Sequence, residues 1–107
     1  MARIPADKAH FTMVNIFDTS PEHQEKLFEV MSKGADVMGA HKGNVGVAMH
    51  LSHDGKRLIT ITEWQSKEDF EDMRARSDLQ SYFKEVSGII TSVDPNPCRL
   101  AYVHDQA

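Results

Sequence analysis

A single cysteine, Cys98, leaves the 107-residue chain with no internal disulfide and fits a reducing compartment. Basic residues are not in excess: 12 Lys and Arg stand against 16 Asp and Glu, a formal charge of −4. Nucleic acid and anionic membrane surfaces are held by clustered cations, so neither is an expected partner. No apolar run approaches the roughly 20 residues a membrane span needs, and the opening MARIPADKAH lacks a signal peptide's apolar segment. A cytoplasmic protein is expected. Glycine is sparse, and Gly43, Gly46 and Gly55 fall in turns and a strand rather than in a loop opening a helix. A cradle for nucleotide or flavin phosphates is therefore missing, and no cofactor is expected. The six histidines include no His-Glu-x-x-His pair. His50 and His53, three apart in an extended segment, point to opposite faces, so no metal site is expected.

What the chain does have is a run of short alternating segments and helix signals. Residues 10–17, HFTMVNIF, read as a strand with Phe11, Met13, Asn15 and Phe17 on one face. Thr19-Ser20-Pro21-Glu22 is a helix start with a hydroxyl N-cap and an early proline and acid. The stripe Leu27, Val30, Met31, Gly34, Ala35 and Met38 follows at helical spacing. Asp54-Gly55 between two apolar runs predicts a hairpin of strands 44–52 and 57–65. That pairing puts Val45, Val47, Met49 and Leu51 beside Leu58, Thr60, Thr62 and Trp64, and turns His50 toward Ile59 and Ile61 on the other face.

Ser66-x-x-Asp69 caps a helix over 67–76, and Ser77-x-x-Gln80 reads as a second capping box restarting one that carries Tyr82, Phe83, Val86 and Ile90. Asp94-Pro95-Asn96-Pro97 is read as the stop before a last strand at 99–104. The order is βαββαβ, an α+β, ferredoxin-like fold with a four-stranded antiparallel sheet. One domain over 10–104 is expected, with a loose lead-in at 1–9 and a tail at 105–107. The sheet face away from the helices carries Val14, Ile16, Ile59, Ile61 and Val103, a patch that a second copy would cover, so a homodimer is expected.

Between sheet and helices the aromatic and Met side chains Phe11, Met13, Phe17, Met49, Trp64, Phe70, Met73, Tyr82 and Phe83 converge. Each is most simply core. Asn15, Thr60 and Thr62 on the same face are polar groups aimed at an apolar space, the composition of a site for a flat hydrophobic molecule.

Several short segments carry a resemblance. Val14-Asn15-x-Phe17, Ser20-Pro21-Glu22-x-Gln24, Met49-His50-x-Ser52-x-Asp54-Gly55 and Trp64-x-Ser66-x-x-x-Phe70 are together similar, in order and spacing, to the antibiotic biosynthesis monooxygenase family of dimeric α+β barrels. The resemblance implies a cofactor-free monooxygenase that oxidises an aromatic polyketide-like phenol to a quinone with dioxygen. It implies Asn15 and Trp64 as catalytic residues touching the substrate. Phe11, Met13, Phe17, Met49, His50, Thr60, Thr62, Phe70, Met73, Phe83 and Lys84 are the candidate substrate-binding set. Thr60 stands where the family has a second Asn, Phe70 where it has a pocket Tyr, and Lys84 near a late-helix Arg. A cyclase, an isomerase, an aromatic ligand-binding protein or a general quinol monooxygenase on the same scaffold are the alternatives.

Overall fold

The computed structural model describes residues 10–104; the expected lead-in at 1–9 and tail at 105–107 lie outside the described residues. The chain runs β1 (Phe11–Asp18), α1 (Gln24–Gly39), β2 (Asn44–Leu51), β3 (Arg57–Trp64), α2 (Lys67–Arg74), a 3₁₀ turn (Ser77–Leu79), α3 (Gln80–Ser87) and β4 (Ser92–Cys98). The sheet is antiparallel in the order β2-β3-β1-β4, which is the βαββαβ fold read from the sequence.

Register follows the hairpin as expected. Leu51 pairs with Leu58 and Met49 with Thr60, which leaves residues 53–56 as the connection after the Ser52 amide donates to the Arg57 carbonyl at 3.1 Å. Gly55 turns the chain with φ +77, where a side chain is strained. The Asp54 carboxylate accepts from the Lys56 amide and the Ser52 hydroxyl, and these bonds hold its pKa below the usual carboxylate value. A bulge between Asn44 and Gly46 takes Val45 out of the pairing, so its expected place beside Val47 does not hold.

Helix starts differ in detail from the capping signals. Ser66 does cap α2, accepting from the Asp69 amide at 3.1 Å. Ser20 does not cap α1. Its hydroxyl meets His23 Nδ1 at 2.8 Å, and a turn over 21–23 bonded to the Ser20 carbonyl leads into the helix. Ser77 opens a 3₁₀ turn instead of a box. Gln80 Nε2 donates backward, to the Arg74 carbonyl at 2.9 Å and that of Arg76 at 2.8 Å, satisfying α2's end rather than starting α3. Gln24, buried at the start of α1, donates to the Ser52 and Arg57 carbonyls and so ties that helix to the hairpin.

The last strand is the main correction. Residues 92–98 form β4, prolines included, and 99–104 form no strand, leaving Tyr102 76% exposed. Prolines are excluded from ladders only where an N–H is needed. The Thr19 amide donates to the Lys56 carbonyl in the β1–β3 register, so by alternation the odd residues of β1 bond to β3 and the even ones to β4. Pro95 and Pro97 lie opposite Asn15 and Met13, so their nitrogens face the free edge.

The helices cover one sheet face, and the core beneath them has two parts. Met13, Trp64, Phe70, Met73 and Leu79 form one cluster; Leu27, Val30, Met31, Leu58 and Val86 form the other. On the opposite face Val14, Ile16, Ile59 and Ile61 stay partly exposed. Val103, expected among them, follows the end of β4 and belongs to no strand.

Candidate functional site

A cavity of about 380 Å³ fills the gap between the two clusters. Its floor is the inner face of the sheet: Asn15 and Phe17 of β1, Thr60 and Thr62 of β3, Val47 and Met49 of β2, Val93 and Pro95 of β4. Met31, Ala35 and Met38 of α1 form one wall; Phe70, Met73 and Arg74 of α2 and Tyr82, Phe83, Val86 and Ser87 of α3 form the other, with Ile90 beyond. Alternation along the strands puts the floor residues on one face, and three-and-four spacing does so for the walls.

Asn15 is the odd residue of that floor. It sits between Thr60 on β3 and Pro95 on β4, and its Oδ1 is buried without a hydrogen-bond partner. Proline offers no donor, and the Thr60 hydroxyl makes no bond to the amide oxygen. A buried unpaired acceptor costs about 1–3 kcal/mol.

Trp64 is placed differently from expectation. It is 0% exposed, behind the floor rather than in it, with Phe70 edge-on at 5.8 Å and His41 at 6.1 Å. Its Nε1 donates to Thr62 Oγ1 at 2.9 Å. Indole N–H is only a donor, so the Thr62 oxygen accepts, and that hydroxyl's own proton is left to point elsewhere. Trp64 therefore reaches the cavity through Thr62.

Eight of the candidate residues line the space: Asn15, Phe17, Met49, Thr60, Thr62, Phe70, Met73 and Phe83. Phe11 and Met13 pack in the cluster around Trp64 instead. His50 is exposed on the outer face opposite Ile59, and Lys84 is exposed on α3, so neither lines the cavity. Alternation along β2 turns His50 away from Met49's side; Lys84 follows Phe83 by one position and rotates off the buried side.

Three polar wall residues, Arg74, Tyr82 and Ser87, lie outside the candidate set. Tyr82 lies so close to Gly34 of α1 that a Cβ there would fall 2.2 Å from its ring, and burial pushes its hydroxyl pKa up to about 12. Arg74 ends α2 with its guanidinium 5.6 Å from the Phe83 ring centroid. Its place four residues after Phe70 on the same helix is the signal that would have found Arg74. Among the described residues no cluster of His, Cys, Asp and Glu is arranged to hold a metal ion, and no helix is long and apolar enough to cross a membrane.

Residues 10–85 match the family model described as antibiotic biosynthesis monooxygenase. The chain belongs to that family. Tetracenomycin-F1 monooxygenase of Streptomyces glaucescens is 34% identical over 84 residues, covering 78% of this chain and 75% of that protein. Among solved structures, the monooxygenase from the gene ActVA-Orf6 of Streptomyces coelicolor, in complex with nanaomycin D, superposes with TM-score 0.83 at 17% identity, over 99% of this chain and 100% of that one. SnoaB of Streptomyces nogalater, a cofactor-independent oxygenase, gives a TM-score of 0.75 at 15% identity, over 89% of this chain and 96% of that one. At those identities the structural likeness establishes the shared fold of the family member.

Proposed function

We propose that this member of the family is a monooxygenase that oxidises an aromatic, polyketide-like phenol to a quinone with dioxygen and no cofactor. The apolar cavity of about 380 Å³ with Asn15, Thr60 and Thr62 set into its floor carries the reading. The names of its relatives support it: one is a tetracenomycin-F1 monooxygenase and another a cofactor-independent oxygenase.

The reaction balances without a reductant. A ring CH₂ beside an ionisable phenol loses both hydrogens and gains one oxygen as C=O, while the other oxygen leaves as water. The ionised phenol supplies the electrons that reduce dioxygen, a new C–O bond forms to give a peroxide, and loss of water breaks its O–O bond. The protein's task is to favour ionisation, hold the ring and exclude water. The Asn15 amide N–H and the Thr62 hydroxyl, the latter oriented by Trp64, donate to the developing phenolate. Among the described residues no lining side chain is a carboxylate or imidazole, and Tyr82 holds its proton to about pH 12, so none of these side chains is the base at neutral pH. Trp64 is on this reading a positioning residue.

Oxygen uptake by chelator-treated protein with an anthrone tests the proposal. A rate above the buffer background is expected, falling at least tenfold in Asn15→Ala, about the effect of losing one oriented hydrogen bond to a charged group. Binding of the anthrone with no uptake would identify a ligand-binding member of the family instead. We further propose that the partly exposed Val14, Ile16, Ile59 and Ile61 face is covered by a second copy in a homodimer, and that the protein works in the reducing cytoplasm.

A further inference from the structure

We propose that Arg74 is an anion-binding residue at the mouth of the cavity, so that the ligand carries an acidic group besides its aromatic body. The inference rests on the aromatic-ligand reading above and narrows its substrate class to hydroxylated aromatic acids.

Among the described residues Arg74 is the one charged side chain that lines the cavity, and it is exposed, which puts it at the rim. Its guanidinium rests against an aromatic ring and its backbone is pinned by a side chain. The guanidinium lies 5.6 Å from the Phe83 ring, itself a wall of the cavity, and the Arg74 carbonyl is fixed by Gln80. The neighbouring Arg76 is engaged quite differently. Its Nε and Nη2 bind the Asp78 carboxylate at 2.9 and 2.6 Å, and a third nitrogen faces His41. Among the described residues the ion pairs are Arg57 with Asp18 and Arg76 with Asp78; none involves Arg74.

A planar guanidinium at the end of an apolar slot suits a carboxylate or ionised phenol in the plane of a flat ring system, which it grips with two parallel N–H donors. The Asn15 amide and the threonine hydroxyls on the floor suit a ligand hydroxyl. The two groups thus specify a molecule with a hydroxyl inside and an anion at the mouth. The chain's net charge of −4 would otherwise repel such a ligand, and one cation at the entrance opposes that locally.

Calorimetric titration of the whole protein with a dihydroxyanthraquinone carboxylate and with its neutral carboxamide tests this without turnover. The carboxylate is expected to bind about 1.5-fold to fivefold more tightly at low salt, the range of an exposed charge pair. Raising the salt should narrow the gap. Arg74→Gln should remove the preference while leaving carboxamide affinity in place, and Arg74→Lys should keep part of it. Equal affinities in the unmutated protein, or a preference that survives Arg74→Gln, would overturn the assignment. Failure of both compounds to bind would overturn it together with the aromatic-site reading, whereas discrimination without oxygen uptake would overturn only the oxygenase chemistry.

Discussion

Gly34→Ala sets two effects of known size against each other. In a helix interior the change from glycine to alanine is favourable by about 1 kcal/mol. Here the new methyl would lie 2.2 Å from Tyr82 Cζ, 2.3 Å from Cε1 and 2.7 Å from Cε2. Carbon atoms in contact sit at about 3.5–4.0 Å, so the closest pair is short by roughly 1.3 Å. Either α1 and α3 move apart, or the Tyr82 ring swings into the cavity it lines. Overpacking of this kind costs about 1–3 kcal/mol, so the steric effect wins and a net loss of about 1 kcal/mol is expected. Urea denaturation followed by Trp64 fluorescence, at one fixed protein concentration, measures it, since that ring is fully buried in the fold. In a Tyr82→Leu background the same substitution should become neutral or stabilising, giving a coupling energy of about 1–3 kcal/mol. A ring displaced into the cavity should also weaken aromatic ligands. A Gly34→Ala protein about 1 kcal/mol more stable, with unchanged ligand affinity, would refute the reasoning.

Tyr82 also predicts a pH effect. Its folded pKa of about 12 lies above the ordinary 10.0, so the folded state keeps a proton the unfolded chain has lost; stability falls as pH rises from about 10 to about 12. The slope should stay below the full ~1.4 kcal/mol per pH unit because the ring is only partly shielded, and the difference in urea midpoint between unmutated protein and Tyr82→Phe reads it. An identical alkaline decline in the two would count against a buried, neutral phenol. For the dimer, sedimentation should give twice the chain mass, and Ile61→Glu, at the centre of the apolar outer face, should give monomers. A monomeric unmutated protein at micromolar concentration would rule the homodimer out.

Much of the fold could be read from local chemistry. Asp54-Gly55 set the hairpin register and with it the inward direction of Thr60 and Thr62, and alternation along residues 10–17 did the same for Asn15, because side chains alternate strictly along a strand. The last strand was misplaced because proline reads as a breaker, and nothing local says that residues 92–98 lie at an edge where a missing N–H does no harm. The site was legible in outline only. That Asn15 would be unpaired depends on Pro95, far along the chain, lying beside it. Trp64 looked like a contact residue; that it is fully buried and bonded to Thr62 depends on α2 bringing Phe70 edge-on against the indole and on packing that sequence spacing does not show. Arg74, in a charged helix, looked like any solvated cation until the cavity opened beside it.

The two prolines of β4 reach beyond their own strand. An outer strand with free amides can recruit another strand and extend the sheet from molecule to molecule. At Pro95 and Pro97 the outward-facing nitrogens carry no hydrogen, and the exposed Asp94 shares the segment with the polar Asn96. The opposite border, β2, is interrupted by its bulge at Val45. Strand-by-strand polymerisation is thus obstructed at both borders, so the homodimer proposed above, if it forms through the apolar face, has no sheet edge by which to grow further.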